Sequence, residues 1–153
     1  MPSITSLKTQ LHTAYPYFTL VESTDFEWSP STNTISYAPK GSHAVDRLLH
    51  EYSHAILGHS AYTRDIELLG LERDAWHYAT TVLAPKYGVK MTPEVAQDDM
   101  DTYRDWLHAR STCPKCASVG MQSATTTYRC LVCRHTWRVN KALSCGLRRY
   151  TVK

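Results

Sequence analysis

The sequence contains no apolar run near the ~20 residues that a membrane-spanning helix needs. Its first residues, MPSITSLKTQLHTAYP, also lack the basic start and the apolar stretch of a signal peptide. No internal repeat and no low-complexity tract is present. With 42% hydrophobic and 20% charged residues, the composition is that of a globular chain rather than a disordered one. The sequence therefore predicts a cytoplasmic protein without a membrane partner.

Acidic residues are absent from the last part of the chain. Residues 1–110 carry nine Lys/Arg and 14 Asp/Glu, a net charge of −5, whereas residues 111–153 carry eight Lys/Arg and no acid. The cysteines lie in the same region, and four of the five form two C-x-x-C pairs, with Cys145 left over. In a cytosolic chain such pairs indicate a metal site before a disulfide. We therefore expect a domain over 1–110 and a separate module over 111–153.

Apolar periodicity gives a coarse secondary structure. Helical spacing predicts a helix between Ser42, as its N-cap, and Gly58, as its C-terminal stop. A second helix is expected to end at Pro85 and Gly88, and a third to begin after Thr92. Short strands are expected over YFTLVE and on both sides of the SPSTN turn. The predicted fold class is α+β, with a short sheet over central helices and a C-terminal β module.

The first helix contains the motif H-E-x-x-H. Residues four apart on a helix lie about 40° apart around its axis, so His50 and His54 can both point at one metal ion. Glu51 lies beside them, where it can take a proton from a metal-activated water as general base. His59 would point about 180° away from His50 if the helix continued. The pattern predicts a catalytic zinc site with His50 and His54 as two ligands.

A catalytic zinc site needs a third protein ligand and leaves one position open. In the second helix, Glu72 shares a face with Ala75 and Ala79, whose small side chains allow a close approach to the first helix. Glu72 is therefore the predicted third ligand. Asp74, which lies off this face, is the alternative ligand or a partner of a ligand histidine. Several groups qualify as stabilisers of a transition-state oxyanion, and no spacing selects among them: Tyr37, Tyr62 and His77.

The segments HEYSHAILGH and ERDAWHYATTVLAP resemble the ImmA/IrrE-type metallopeptidases over roughly residues 30 to 88. The resemblance implies a small gluzincin-like domain in which His50, His54 and Glu72 bind zinc and Glu51 is the base. It also implies that NTISYAP is the edge strand beside the zinc, which would bind an extended peptide by strand addition. The implied activity is that of a zinc-dependent endopeptidase, a regulatory intracellular protease with a specific protein substrate.

The second cysteine-containing motif is C-P-K-C-x13-C-L-V-C. Two such knuckles around a hairpin are typical of a closed tetrahedral zinc site, with ligands Cys113, Cys116, Cys130 and Cys133. Four thiolates leave no position for water, so this zinc is expected to stabilise a ribbon and not to catalyse. The prediction is thus two zinc ions per chain, one catalytic and one structural.

Basic residues surround the predicted ribbon, with Tyr128, Trp137 and Tyr150 between them. The candidate partner-binding residues are Arg134, Arg138, Arg148 and Arg149. This composition suits nucleic acid, but equally an acidic protein partner or docking onto the acidic body of the chain. Proteases of the SprT-like type, which this chain resembles in pairing H-E-x-x-H with a cysteine zinc module, act on DNA-associated protein. A non-enzymatic nucleic-acid-binding zinc protein is the alternative from another functional class.

Overall fold

The structure, a computed structural model, describes residues 1–140 and, as backbone only, residues 149–151. The fold is α+β, as predicted. The chain divides into two compact units: Met1–Ser60 with Leu71–Ala96, and Ala61–Gly70 with Gln97–Lys153. The predicted domains, 1–110 and 111–153, divide the chain differently and stay a prediction. In the described part of the chain, no helix is both long and apolar enough to cross a membrane.

The first unit begins with a helix capped by Ser3, whose hydroxyl accepts a hydrogen bond from the backbone N–H of Ser6. Three short strands and the helix with the H-E-x-x-H motif follow. Helix Asp65–Tyr78 then continues through a π-helical segment, Ala79–Leu83, into a short helix, Ala84–Lys86, that ends near the predicted position. The elements are α1 (Ile4–Ala14), β1 (Thr19–Glu22), β2 (Glu27–Ser29), β3 (Thr34–Tyr37), α2 (Ala44–Ile56), α3 (Asp65–Tyr78) and α4 (Ala84–Lys86).

The strands of this unit form a sheet in the order β1-β3-β2. Strand β3 pairs in parallel with β1, placing Leu20 opposite Ile35, and antiparallel with β2, placing Trp28 opposite Ile35. The strand in NTISYAP is therefore central, and its assignment as the edge strand is wrong. Both hydrogen-bonding sides of β3 are used, so the edge strands of this sheet are β1 and β2.

Helix α2 forms where the apolar spacing predicts it, and Leu48, Leu49 and Tyr52 are fully buried on its inner face. The predicted cap at Ser42 is wrong. The residue before the helix is His43, which has a left-handed backbone (φ 53°) and makes no side-chain capping bond. The helix is instead fixed at this end by packing, because its apolar face enters the core formed with α1, the sheet and the helical segment after α3.

Helix α2 ends in a Schellman motif. Gly58 adopts a left-handed conformation (φ 69°), its N–H donates to the Ala55 carbonyl at 3.1 Å, and the His59 N–H donates to the His54 carbonyl at 3.0 Å. Glycine adopts this conformation without the steric cost of a Cβ. The chain therefore turns back at Gly58, and His59 lies beside the last turn of the helix.

The second unit combines the N-terminal part of α3 and most of helix α5 (Pro93–Ser111) with a four-stranded antiparallel sheet. The sheet order is β4-β5-β6-β7, with strands Gly120–Ala124, Thr127–Cys130, Thr136–Val139 and Arg149–Thr151. One face of the sheet carries Tyr128 and Trp137, paired across β5 and β6 with their rings stacked 5.8 Å apart. This architecture agrees with the predicted β ribbon.

A buried polar cluster joins the helices of the second unit to its sheet. Arg110 Nε donates to Asp65 Oδ2 at 2.8 Å, and the Tyr128 hydroxyl donates to the same oxygen at 2.6 Å. Trp137 Nε1 donates to the Arg110 carbonyl at 2.9 Å. Burial and the neighbouring Asp65 carboxylate both raise the pKa of Tyr128. Removal of either Asp65 or Arg110 would leave the other charge buried and unpaired. Such a substitution is therefore expected to destabilise the second unit strongly.

Candidate metal centres

Helices α2 and α3 bring three potential ligands together in the first unit. His50 Nε2 lies 2.9 Å from Glu72 Oε2, His54 Nε2 lies 3.3 Å from Glu72 Oε1, and the two Nε2 atoms are 3.1 Å apart. All three side chains are buried. The four-residue spacing on α2 presents both imidazoles on one side, and the small Ala75 and Ala79 are fully buried along α3 and its continuation. His50, His54 and Glu72 thus form a group that could hold a metal ion.

The separations fit a tetrahedral ion. Bonds of about 2.1 Å to nitrogen and oxygen, as in zinc sites, place ligand atoms about 3.4 Å apart, and the observed triangle is slightly tighter. Hydrogen bonds alone explain this triangle of contacts less well. If both Nε2 atoms carried protons, both could donate to Glu72, but the two nitrogens, 3.1 Å apart, would then be two donors in contact. Three lone pairs directed at one cation satisfy every contact.

The carboxylate brought to the histidines is Glu72 and not Asp74. Glu72 is 6% exposed, whereas Asp74 is exposed and pairs with the neighbouring Arg73 at 3.1 Å. Burial alone would raise the pKa of Glu72, but its hydrogen bonds with His50 and His54 outweigh burial and hold the pKa at about 2. Glu72 is therefore ionised across the whole physiological range, as a metal ligand must be.

Glu51 follows His50 on α2 and is close enough to His50, His54 and Glu72 for their charges to affect its pKa. Burial raises the pKa of its carboxyl, and the negative charge of Glu72 raises it further. The two histidines and a hydrogen bond from the backbone N–H of Trp28 act in the opposite direction, but burial prevails. A raised pKa makes this carboxylate a stronger base, which suits a group that accepts and returns a proton.

The two candidate ligand histidines are held in different ways. The ring of His50 stacks on the indole of Trp76, with centroids 4.0 Å apart and planes inclined by 18°. His54 Nδ1 instead lies 2.8 Å from Nδ1 of His59. Sequence reasoning placed the end of the helix at Gly58 but judged His59 only for a helix that continued, and so missed its contact with His54. The signal that could have found it was the glycine itself, since a C-terminal glycine reverses the chain.

The structure assigns the oxyanion role to none of the three candidates. Tyr37 is 5% exposed and belongs to the apolar core, and His77 is exposed on α3. Tyr62 belongs to the second unit. The expectation that one of them stabilises an oxyanion therefore stays a prediction.

In the second unit, the four predicted cysteines form another potential metal site, the four-cysteine site. Cys113 Sγ lies 3.7 Å from Cys133 Sγ, and Cys116 Sγ lies 3.5 Å from Cys130 Sγ. A tetrahedral ion with bonds of about 2.3 Å to sulfur, as in zinc sites, separates its sulfur atoms by about 3.8 Å. The observed geometry is therefore close to that of a zinc ion held by four thiolates.

The backbone supports the same interpretation. The N–H groups of Val132 and Cys133 donate to Cys130 Sγ at 3.4 Å, and Lys115 N–H donates to Cys113 Sγ at 3.4 Å. The residue after each C-x-x-C pair has a left-handed backbone: Ala117 with φ 63° and Arg134 with φ 62°. The two loops thus have the same turn, which directs both cysteines of each pair to one point.

The ribbon surface differs from the sequence expectation in one respect. Tyr128 is 2% exposed and Trp137 is fully buried, so neither can stack on a nucleobase. Arg134 and Arg138 are exposed. Arg148 and Cys145 lie outside the described residues, and Arg149 is described only as backbone of β7.

Exposed apolar side chains lie on the same ribbon. They are 57–72% exposed and flank the cysteine loops and strand β4: Val119, Met121, Leu131 and Val132. Met121 pairs across the sheet with the exposed Arg129. The outward face of the ribbon is therefore both apolar and cationic, while its aromatic face is used internally.

No protein-family model, curated protein or solved structure matches the chain.

Proposed function

We propose that the protein is a zinc-dependent endopeptidase of gluzincin type, with a structural zinc in its ribbon. The observation that carries the proposal is the convergence of His50, His54 and Glu72, with Glu51 beside them on the same helix. A purely structural metal site has no use for a partly buried glutamate next to its ligands. The reaction is the hydrolysis of a peptide bond in a protein substrate.

In this mechanism the three ligands hold the ion, and Glu51 transfers the proton. Bound zinc would supply acidification of water and polarisation of the substrate carbonyl. Glu51 accepts the proton of the attacking water and returns it to the leaving amine, for which its raised pKa is suitable. Glu72 stays ionised throughout, because its pKa of about 2 lies far below neutral pH.

The substrate is proposed to bind along β2. This strand is at the edge of the sheet, and the indole N–H of its Trp28 donates at 2.8 Å to the carbonyl of His59, which follows the end of α2. The Trp28 backbone also acts to lower the pKa of Glu51. An extended peptide added to this edge would run beside Glu51 and the ligand group. The strand addition inferred from the sequence is thus transferred from β3 to β2.

For the ribbon, the exposed surface favours a protein partner over nucleic acid. Leu131 and Val132 offer apolar contact area that phosphate cannot use, and the aromatic rings that would stack on bases are buried. The exposed Lys115, Arg129 and Arg134 add positive charge. We therefore propose that the ribbon recruits an acidic protein segment with apolar side chains. The SprT-like alternative, and the non-enzymatic one, both require that the ribbon bind nucleic acid.

Two measurements test the proposed function. Metal analysis should find about two zinc ions per chain, and Cys113→Ser with Cys116→Ser should leave one. Glu51→Gln should keep both ions and the fold but abolish cleavage of a fluorogenic peptide library, because an amide cannot accept the proton. The matched control is Glu94→Gln, an exposed glutamate of α5, which should leave cleavage unchanged. Undiminished cleavage by Glu51→Gln would eliminate the mechanism.

A further inference from the structure

We propose that His59 is a positioning residue, which holds the imidazole of His54 in the tautomer and orientation that a metal ligand needs. The inference rests on the proposed zinc site and adds to it a residue that touches neither the ion nor the substrate. Its basis is the short contact between the Nδ1 atoms of His54 and His59, at 2.8 Å.

The contact constrains the protons. Two ring nitrogens at this distance form a hydrogen bond only if one carries a proton and the other a lone pair. His54 Nε2 faces Glu72 and His50, so its lone pair is the one directed at the ion. The proton of His54 is then on Nδ1, which donates to Nδ1 of His59. His59 is neutral in this arrangement, with its own proton on Nε2.

The backbone fixes the acceptor. Gly58 turns the chain, the His59 N–H donates to the His54 carbonyl, and the Trp28 indole N–H donates to the His59 carbonyl at 2.8 Å. His59 is thus attached to the end of α2 on one side and to the sheet on the other. A side chain held at both backbone groups loses little further freedom when it accepts the bond from His54.

His50 shows the contrast that makes His59 informative. Its Nδ1 is buried and has no hydrogen-bond partner among the described residues, and its ring is held by stacking on Trp76. Stacking fixes the plane of a ring but does not select a tautomer. Ligand histidines usually donate their second N–H to a fixed acceptor. At this site the described structure provides that acceptor for His54, through His59.

The test compares two variants of similar size. His59→Leu removes the acceptor, whereas His59→Asn keeps an acceptor oxygen the same number of bonds from the backbone as Nδ1. Zinc affinity is measured on the full chain by competition with a chromophoric chelator, and the four-cysteine site serves as an internal control. We expect His59→Leu to weaken the first site about 10- to 100-fold and His59→Asn to restore most of the affinity. The four-cysteine site should be unchanged in both.

Three outcomes would overturn the inference: unchanged affinity in His59→Leu, equal weakening of both sites, or no restoration by Asn. The second would show that His59 acts through general stability, and the third that the hydrogen bond is not what matters. The failure of the proposed function is a different result. It would appear in the unsubstituted chain, as zinc at the four-cysteine site alone or as a loaded first site without cleavage.

Discussion

Two glycines provide a matched pair for testing how the end of α2 serves the metal site. Gly58 and Gly88 have left-handed backbones, with φ of 69° and 66°, and both close Schellman motifs. The second motif is completed by the Val89 N–H, which donates to the Ala84 carbonyl at 2.9 Å. A Cβ built on either glycine has no heavy atom within 4 Å. Alanine at either position therefore adds backbone strain without a clash.

The strain of a left-handed non-glycine residue is about 1–2 kcal/mol. Gly58→Ala and Gly88→Ala should therefore lower the free energy of unfolding by similar amounts, measured by urea titration with excess zinc and tryptophan fluorescence. Only Gly58 precedes His59, so only Gly58→Ala should also weaken zinc binding at the first site in chelator competition. Equal zinc affinities in the two variants would refute the link between this turn and the metal site. A much larger loss of stability in one variant would refute the estimate of strain.

The remaining predictions concern both sites and the ribbon surface. Glu72→Ala should remove metal from the first site while Asp74→Ala should not, and the reverse result in metal analysis would reassign the third ligand. Ala117→Gly should raise the free energy of unfolding of the zinc-loaded chain by about 1 kcal/mol, because its left-handed backbone is no longer strained; no gain in a urea titration would contradict this. Leu131→Ser should weaken binding of an acidic peptide with leucine side chains, whereas Arg129→Ala should weaken that peptide and an oligothymidine alike. Tighter binding of the oligothymidine, steeply salt-dependent and indifferent to Leu131→Ser, would favour nucleic acid as the ribbon's partner.

The parts predicted correctly from the sequence are those that depend on local spacing. Helical periodicity located α2, and the four-residue separation of His50 and His54 directed both rings to one side. Small residues one and two turns after Glu72 indicated the face on which α3 approaches. The two C-x-x-C pairs indicated a four-cysteine cluster for the same reason, since each pair is a local turn.

The errors came from features that depend on distant parts of the chain. Strand order is not encoded in any single strand, so the central position of β3 could not be predicted from NTISYAP. Tyr128 and Trp137 are residue types expected on a nucleic-acid-binding surface, but both are buried. Tyr128 bonds to Asp65, 63 residues away, and Trp137 bonds to the carbonyl of Arg110, 27 residues away. Gly58 was predicted correctly as the end of the helix, but His59 was judged only for a helix that continued, and the turn that returns it to His54 was not considered.

If a peptide adds to strand β2 as proposed, its arrival would change the proton affinity of Glu51. The backbone of Trp28 acts to lower the pKa of Glu51, and Trp28 belongs to the edge strand along which a peptide is proposed to bind. A peptide that pairs with β2 would compete for the backbone N–H of Trp28. Glu51 would then lose this contact, and its proton affinity would rise. Occupation of the edge would thus strengthen the proposed base through a single exchange of hydrogen-bond partners.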